Sequence, residues 1–239
     1  MLDVLAFGAH PDDVEIFMGG TIARLKKDKL KVGVCDLTRG EAGTYGSAET
    51  RSEELQRASD IMGLDIRVTL DIPDGSVSNT EENRLKVIDV IRQYRPKVVF
   101  TFVDLLTRHP DHYYTGVILK ECMFLSGLEK IKTNHAPYRP EALIQFPELI
   151  PRREPDVIVD ITEFWETKIA AIQAYSSQVT VEFEKNPRPK TFLRSEQFWE
   201  VLEARSRLAG AQIGVKYGEP FYTQGPFKYT NLDMFVKGY

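Results

Sequence analysis

The stretch Leu2-Asp-Val-Leu-Ala-Phe-Gly-Ala-His10-Pro-Asp12-Asp13-Val-Glu15 decides how this chain reads. An apolar run of strand length ends at Gly8. A histidine and several carboxylates follow at once, with Gly19-Gly20 and a helical pattern close behind. In open α/β sheets ligands bind outside the carboxyl ends of the strands. Charged groups crowded there are solvated, paired or on a metal, because burying an unpaired charge is too costly. The metal reading needs a further ligand from elsewhere. Thr107-Arg108-His109-Pro110-Asp111-His112 supplies one, again directly after an apolar run, Val98-Val-Phe-Thr-Phe-Val103.

Outward from these motifs, apolar runs and helical patterns alternate. Thr21–Asp28 reads as the C-terminal half of a helix, with cations in the last turn where the helix dipole favours them. Lys31–Thr38 is a second strand, and the polar, glycine-rich Arg39–Gly46 a loop after it. Glu49–Met62 has helical periodicity and stops at Gly63, a suitable residue for a left-handed helix end. Arg67–Ile72 is a third strand ended by Pro73. Asn79 or Thr80 caps the next helix, which buries Leu85, Ile88 and Ile91. Lys97–Val103 is the fourth strand, His112–Leu125 a helix and Leu128–Arg139 a connection. Glu141–Phe146 and Asp156–Ile161 are further strands, the second leading into a helix over Glu163–Tyr175. Gln178–Thr191 reads as a long loop, Ser195–Ala209 as a helix capped by Ser195, and the tail from Gly210 shows no element.

Such alternation implies an α/β fold: a Rossmann-like, mostly parallel sheet flanked by helices, with the metal site at the carboxyl ends of the strands. The 239 residues suit a single domain, 1–239, in which the part from about 178 is an elaboration.

Composition narrows the function. A hydrophobic share of 42% and a charged share of 28% fit an ordinary soluble globular protein, neither disordered nor a disulfide scaffold. The net charge of −4 shows no bias towards polyanions, so no nucleic-acid partner is expected. Cys35 and Cys122, the only cysteines, lie in strand-like and helix-like runs, where reduced, buried thiols are usual; a cytoplasmic location follows. No apolar run reaches the ~18 residues of a membrane span and no secretion signal opens the chain, so neither anchor nor export is expected.

In a parallel sheet all carboxyl ends share one edge, so residues after the first and fourth strands can meet. His10, Asp13 and His112 then form a metal set of two imidazoles and a carboxylate, the ligand count of a catalytic zinc site. A closed structural site wants four ligands, usually with cysteine, and neither cysteine is near a motif. Asp12, beside a ligand in the tight turn made by Pro11, is free to act as a base on water acidified by the ion. A protonated His109 can share the developing oxyanion charge, with Asp111 pairing with it and holding it charged. Glu15 either assists this site or favours a helix N-terminus. Gly19-Gly20 fits close packing, since G-x-G-x-x-G is absent. His135, in a connection, is expected to be solvated.

Ala9-His-Pro-Asp-Asp-Val-Glu15 and Arg108-His-Pro-Asp-His112 resemble the paired signatures of the LmbE-like, or PIG-L, metal-dependent N-deacetylases. Asp36-Leu-Thr-Arg-Gly-Glu41, Gly43, Ser47, Glu49-Thr-Arg51, Asp160-Ile161, Ala174-Tyr175, Ser177-Gln178 and Glu203-Ala-Arg205 resemble the branch acting on N-acetylglucosaminyl-L-malate in bacillithiol biosynthesis. The resemblance spans nearly the whole chain. It implies hydrolysis of an N-acetyl group on a glucosamine glycoside, with Zn2+, or Fe2+ in the cell, on His10, Asp13 and His112. Asp12 would be the general base, His109 the stabiliser of the tetrahedral intermediate, and Arg51 and Arg108 substrate-binding residues. Homo-oligomers, often hexamers, are also implied. Thr107 stands where these proteins usually carry Asp, and Tyr45 where a loop Arg is common.

Position adds to the arginine reading: Arg108 abuts the second motif, and Arg51 opens a helix beside the glycine-rich loop. A guanidinium suits a substrate carboxylate, although Arg51 could instead bridge to Glu49 or Glu54. Two other functions remain. A non-haem iron oxygenase can use the same donor set, but strand–helix alternation fits that chemistry poorly. A sugar- or nucleotide-binding sensor with a vestigial metal site would have no use for Asp12 and His109.

Overall fold

The apolar run after Met1 forms strand β1 (Val4–Gly8), buried along its whole length. Successive side chains of a strand point to opposite faces. Val4 and Ala6 accordingly join one apolar core, and Leu5 and Phe7 the other. A strand covered on both faces reads as an unbroken hydrophobic run, as this one does.

The computed structural model describes residues 1–105, 109–180 and 191–225. After β1 come α1 (Asp13–Lys27), β2 (Val32–Asp36), α2 (Ala48–Met62), β3 (Ile66–Thr69), α3 (Glu81–Tyr94), β4 (Val98–Phe102) and α4 (Pro110–Leu125). The second half adds β5 (Ala142–Phe146), β6 (Val157–Asp160), α5 (Trp165–Gln173), the single turn α6 (Ser176–Val179), α7 (Glu196–Gln212) and β7 (Gly218–Thr223). These strands form one sheet in the order β3-β2-β1-β4-β5-β7-β6. Strands β1 to β5 are parallel, and β7 runs antiparallel to both β5 and β6. One core packs Ile16, Phe17 and Ile22 of α1 with Ile172 of α5 and Leu202 of α7. The opposite core packs Val87 and Ile91 of α3 with Ile118 and Leu119 of α4.

Val4 of β1 lies opposite Val32 of β2 on one side and Val98 of β4 on the other. Strand order therefore reverses at the β1–β4 seam, where open α/β sheets form their ligand crevice. Both histidine motifs leave the sheet at this seam.

Local chemistry sets the helix ends. Ser47, Thr80 and Ser195 each accept a hydrogen bond from the amide three residues on, and Gly63 closes α2 at φ 64°. Helix α4 starts at Pro110, earlier than the expected His112, because His109 caps it through its own ring. Helix α1 is interrupted at Met18, which has non-helical dihedrals. Glu219 of β7 accepts hydrogen bonds from the amides of Gly20 (3.1 Å) and Thr21 (2.6 Å) just past that break. A β-carbon on Gly20 would lie 2.8 Å from Ile161, so the close packing expected of Gly19-Gly20 is present at Gly20, whereas at Gly19 the nearest neighbour, Lys168, would be at 3.4 Å.

The aromatic, glycine-rich tail, to which the sequence pattern assigns no structure, contains β7. His135 is not simply solvated: its Nδ1 is 2.9 Å from Asp89. Most of the expected loop before Thr191, with Pro187 and Pro189, lies outside the described residues, as do Thr107 and Arg108. No helix among the described residues is long and apolar enough to cross a membrane.

Candidate metal centre and active site

Beyond β1 the backbone turns sharply, and Asp12 takes φ 107°, a left-handed value costly for a residue with a side chain. Asp12 is buried and its side chain does not cap α1, so the turn aims its carboxylate at the site rather than at the helix. Asp13 is tied down instead. Its Oδ2 accepts hydrogen bonds from the amides of Ala9 (3.0 Å) and His10 (2.8 Å). The same carboxylate lies 3.4 Å from His10 Nδ1 and 3.1 Å from His112 Nε2.

The far nitrogens of both imidazoles face carboxylates. His10 Nε2 is 3.0 Å from Asp74 and 3.3 Å from Asp111; His112 Nδ1 is 3.0 Å from Glu148. The His112 ring stacks on Phe102 at 3.9 Å between centroids, which fixes its plane. Burial resists charge on His10, yet its hydrogen bonds to Asp111, Asp13 and Asp74 hold it well above the usual imidazole range. Burial is likewise outweighed at His112, where Asp13 and Glu148 push the imidazole up to about 9. The same two imidazoles, against burial, hold Asp13 well below the usual carboxylate range.

One ligand atom from each of His10, Asp13 and His112 falls within 4.8 Å of the others. The donors suit a divalent cation: in the metal-free chain, two protonated imidazoles converge on one carboxylate, where a cation would replace their charge. His10, His109 and Asp111 meet the same distance criterion. There, however, His109 Nδ1 already accepts the Asp111 amide at 3.2 Å, and the Asp111 carboxylate accepts the Gly75 amide at 2.8 Å. The first set fits better.

The expected Asp111–His109 pairing through the carboxylate does not form. The Asp111 side chain turns to His10 and Gly75, so Asp111 supports a candidate ligand. Burial, with the charges of His10 and His112, holds His109 below the usual imidazole range. With Nδ1 accepting, its Nε2 is the nitrogen left to donate. At Asp12, burial outweighs the Arg51 guanidinium and pushes the carboxyl up to about 7.

Arg51 bridges to neither Glu49 nor Glu54; Glu54 is taken by Ser176 and Ser177. Its Nη2 donates to the Pro11 carbonyl at 3.1 Å, its Nη1 is 4.0 Å from Asp12, and Nε and Nη1 are buried without a hydrogen-bond partner. Gly40, at φ 67°, makes room: a β-carbon there would lie 2.4 Å from Arg51 Nη2. Glu15, with no exposure, pairs with Arg67 and accepts the Tyr175 hydroxyl at 2.9 Å, while Arg67 also grips Asp36. This buried cluster underlies the first motif.

Asp12, Arg51, His109 and Gln178 line a cavity of about 410 Å³ with the three candidate ligands. A second cavity of about 690 Å³, lined by Arg39, Ser47 and Leu55, shares Arg51 and Gly40 with it. Sequence reasoning missed Asp74 and Glu148. Each follows a proline just past a strand, in Pro73-Asp74 and Pro147-Glu148, so the carboxyl-end rule that singled out His10 would have found both.

A family model described as GlcNAc-PI de-N-acetylase, PIG-L, matches residues 5–123, which include both histidine motifs. Diacetylchitobiose deacetylase of Thermococcus kodakarensis is 32% identical over 229 residues, covering 91% of this chain and 80% of that protein. The chain belongs to the PIG-L, or LmbE-like, family of N-deacetylases. Among other PIG-L relatives, a probable N-acetyl-alpha-D-glucosaminyl L-malate deacetylase 2 of Bacillus cereus is 29% identical, covering 82% of this chain and 96% of its own. The conserved protein TT1542 of Thermus thermophilus superposes with a TM-score of 0.87 at 38% identity, covering 97% of this chain and 99% of that one.

Proposed function

We propose that this enzyme hydrolyses the N-acetyl amide of an N-acetylglucosamine glycoside, and that N-acetylglucosaminyl-L-malate is its substrate. The carrying observation is the convergence of His10, Asp13 and His112 beside Asp12 and His109 on one cavity. Zn2+ is the ion we assign to the three ligands, with Fe2+ as the alternative; a bound divalent ion would acidify water and polarise the acetyl carbonyl. Asp12, with a proton affinity near neutrality, accepts a proton from water as the oxygen adds to the amide carbon. His109 Nε2–H donates to the carbonyl oxygen as it gains negative charge. The C–N bond then breaks as the proton held by Asp12 passes to the leaving nitrogen, giving the free amine and acetic acid, which releases its remaining proton to solvent as acetate.

The malate assignment draws on the Bacillus cereus relative and on Arg51. A buried guanidinium with two nitrogens that lack a hydrogen-bond partner suits a carboxylate ligand, and the cavity beyond it has room for an aglycone. Arg108 belongs to the same proposal on its place in the sequence. So do a homo-oligomeric assembly, implied by the resemblance, and a cytoplasmic location, in keeping with two free, buried cysteines.

Acetate release from a panel of glycosides tests the reading. The malate glycoside should give the highest kcat/KM, ahead of diacetylchitobiose and the methyl glycoside. A preference for diacetylchitobiose would move the substrate to an oligosaccharide while keeping the reaction. Absence of acetate from every N-acetylglucosaminide would refute both.

A further inference from the structure

We propose that Glu148 is a positioning residue for the metal, holding His112 in the orientation that presents Nε2 to the ion. The inference rests on the metal-site reading above and extends it to a residue outside both histidine motifs. Three observations carry it. Glu148 Oε1 is 3.0 Å from His112 Nδ1, while Nε2 of the same ring faces Asp13 at 3.1 Å, so one end of the imidazole is anchored and the other aimed. Stacking on Phe102 fixes the ring plane but does not distinguish the two orientations related by a half-turn flip about Cβ–Cγ, and an acceptor at Nδ1 selects the one that turns Nε2 to Asp13. The Glu148 side chain is only 13% exposed although it lines the cavity, so it is not a solvated surface carboxylate.

The anchor is itself braced. Glu148 follows Pro147 just past β5, and the Pro147 carbonyl accepts a hydrogen bond from Arg205 of α7 at 3.4 Å. Arg205 is buried, with Nε and Nη1 unpartnered, and its guanidinium lies 5.3 Å from the Phe17 ring. The C-terminal helix thus reaches the metal site through the Pro147-Glu148 turn. Carboxylates on the far nitrogen of ligating histidines typically strengthen metal binding 10–100-fold.

The test is Zn2+ affinity of metal-free protein, measured by competition with a chromophoric chelator and therefore independent of turnover. Circular dichroism checks the fold of each variant. Glu148→Ala should weaken Zn2+ about 10–100-fold. Glu148→Gln, nearly isosteric and keeping an acceptor oxygen without the charge, should recover part of that loss. Unchanged affinity in both variants, or a glutamine variant no better than alanine, would overturn the positioning role. His112→Ala separates the two levels of argument. If it binds Zn2+ like the wild type, the metal-site reading fails; if it loses Zn2+ while Glu148→Ala does not, only the inference about Glu148 fails.

Discussion

The Asp13 carboxylate lies 3.1 Å from His112 Nε2, across the seam where β1 and β4 run side by side. In the metal-free chain this pairing is a charge bond, and it ties folding to pH. His112 is pushed up to about 9, above its ordinary 6.5, by Asp13 and Glu148 against the effect of burial. A folded pKa above the unfolded one contributes stability that is full below 6.5 and lost as pH rises through about 9. His10, also raised, has the same sign, and Asp13, lowered, does not titrate in that window. Urea midpoints of metal-free protein should therefore fall between pH 6.5 and 9. Zn2+ must displace these protons, so its apparent affinity should rise over the same window. A flat metal-free profile would show that the imidazoles are not held charged.

Asp12 sits at φ 107° with its carboxyl in the cavity and no side-chain hydrogen bond to α1. Asp12→Asn should keep the metal and lose about 10²–10⁴-fold in kcat, the usual worth of a positioned base. His109→Ala should act similarly, since what it supplies is strongest in the transition state. Steady-state kinetics on metal-loaded protein decide. A raised KM with unchanged kcat would make either residue a binding group.

Arg51 has two buried nitrogens without a hydrogen-bond partner, Nη1 lying 4.0 Å from Asp12, and a glycine, Gly40, that admits its guanidinium. Arg51→Lys should cost on the order of 2–5 kcal/mol in kcat/KM on the malate glycoside, the penalty for losing a desolvated charge partner. The methyl glycoside should suffer far less. Equal losses on both substrates would assign Arg51 to the sugar or to the fold.

Much of this was legible from the sequence, for a local reason. β1 and β4 are covered on both faces, so their apolar runs stand out, and Thr80, Gly63 and Ser195 are residues whose side chains or φ values act within their own helix ends. β7 was not legible. Gly218-Glu-Pro-Phe-Tyr-Thr223 has a proline and a charged residue inside the strand, and Glu219 is tolerated there only because Lys168 and the α1 amides meet it. The turn of Asp111 towards His10 was equally hidden, since it depends on the Gly75 amide from a distant loop.

The Lys168–Glu219 pair, 2.5 Å apart with neither side chain exposed, gives a stability test away from the candidate site. Removing one partner leaves a buried, uncompensated charge. Glu219→Leu should cost about 3–5 kcal/mol in urea unfolding. Lys168→Met combined with Glu219→Leu should recover part of it. A double variant as unstable as the sum of the singles would mean that Glu219 acts mainly by capping the second half of α1.

The proposed amide hydrolysis depends on one metal site built from His10, Asp13 and His112. Titrating metal-free protein with Zn2+ while recording acetate release from N-acetylglucosaminyl-L-malate tests it directly. Acetate release should start near zero and reach its maximum at one equivalent of Zn2+ per chain, with no such rise in His112→Ala. Full activity in the metal-free chain, or an undiminished titration in His112→Ala, would contradict the account.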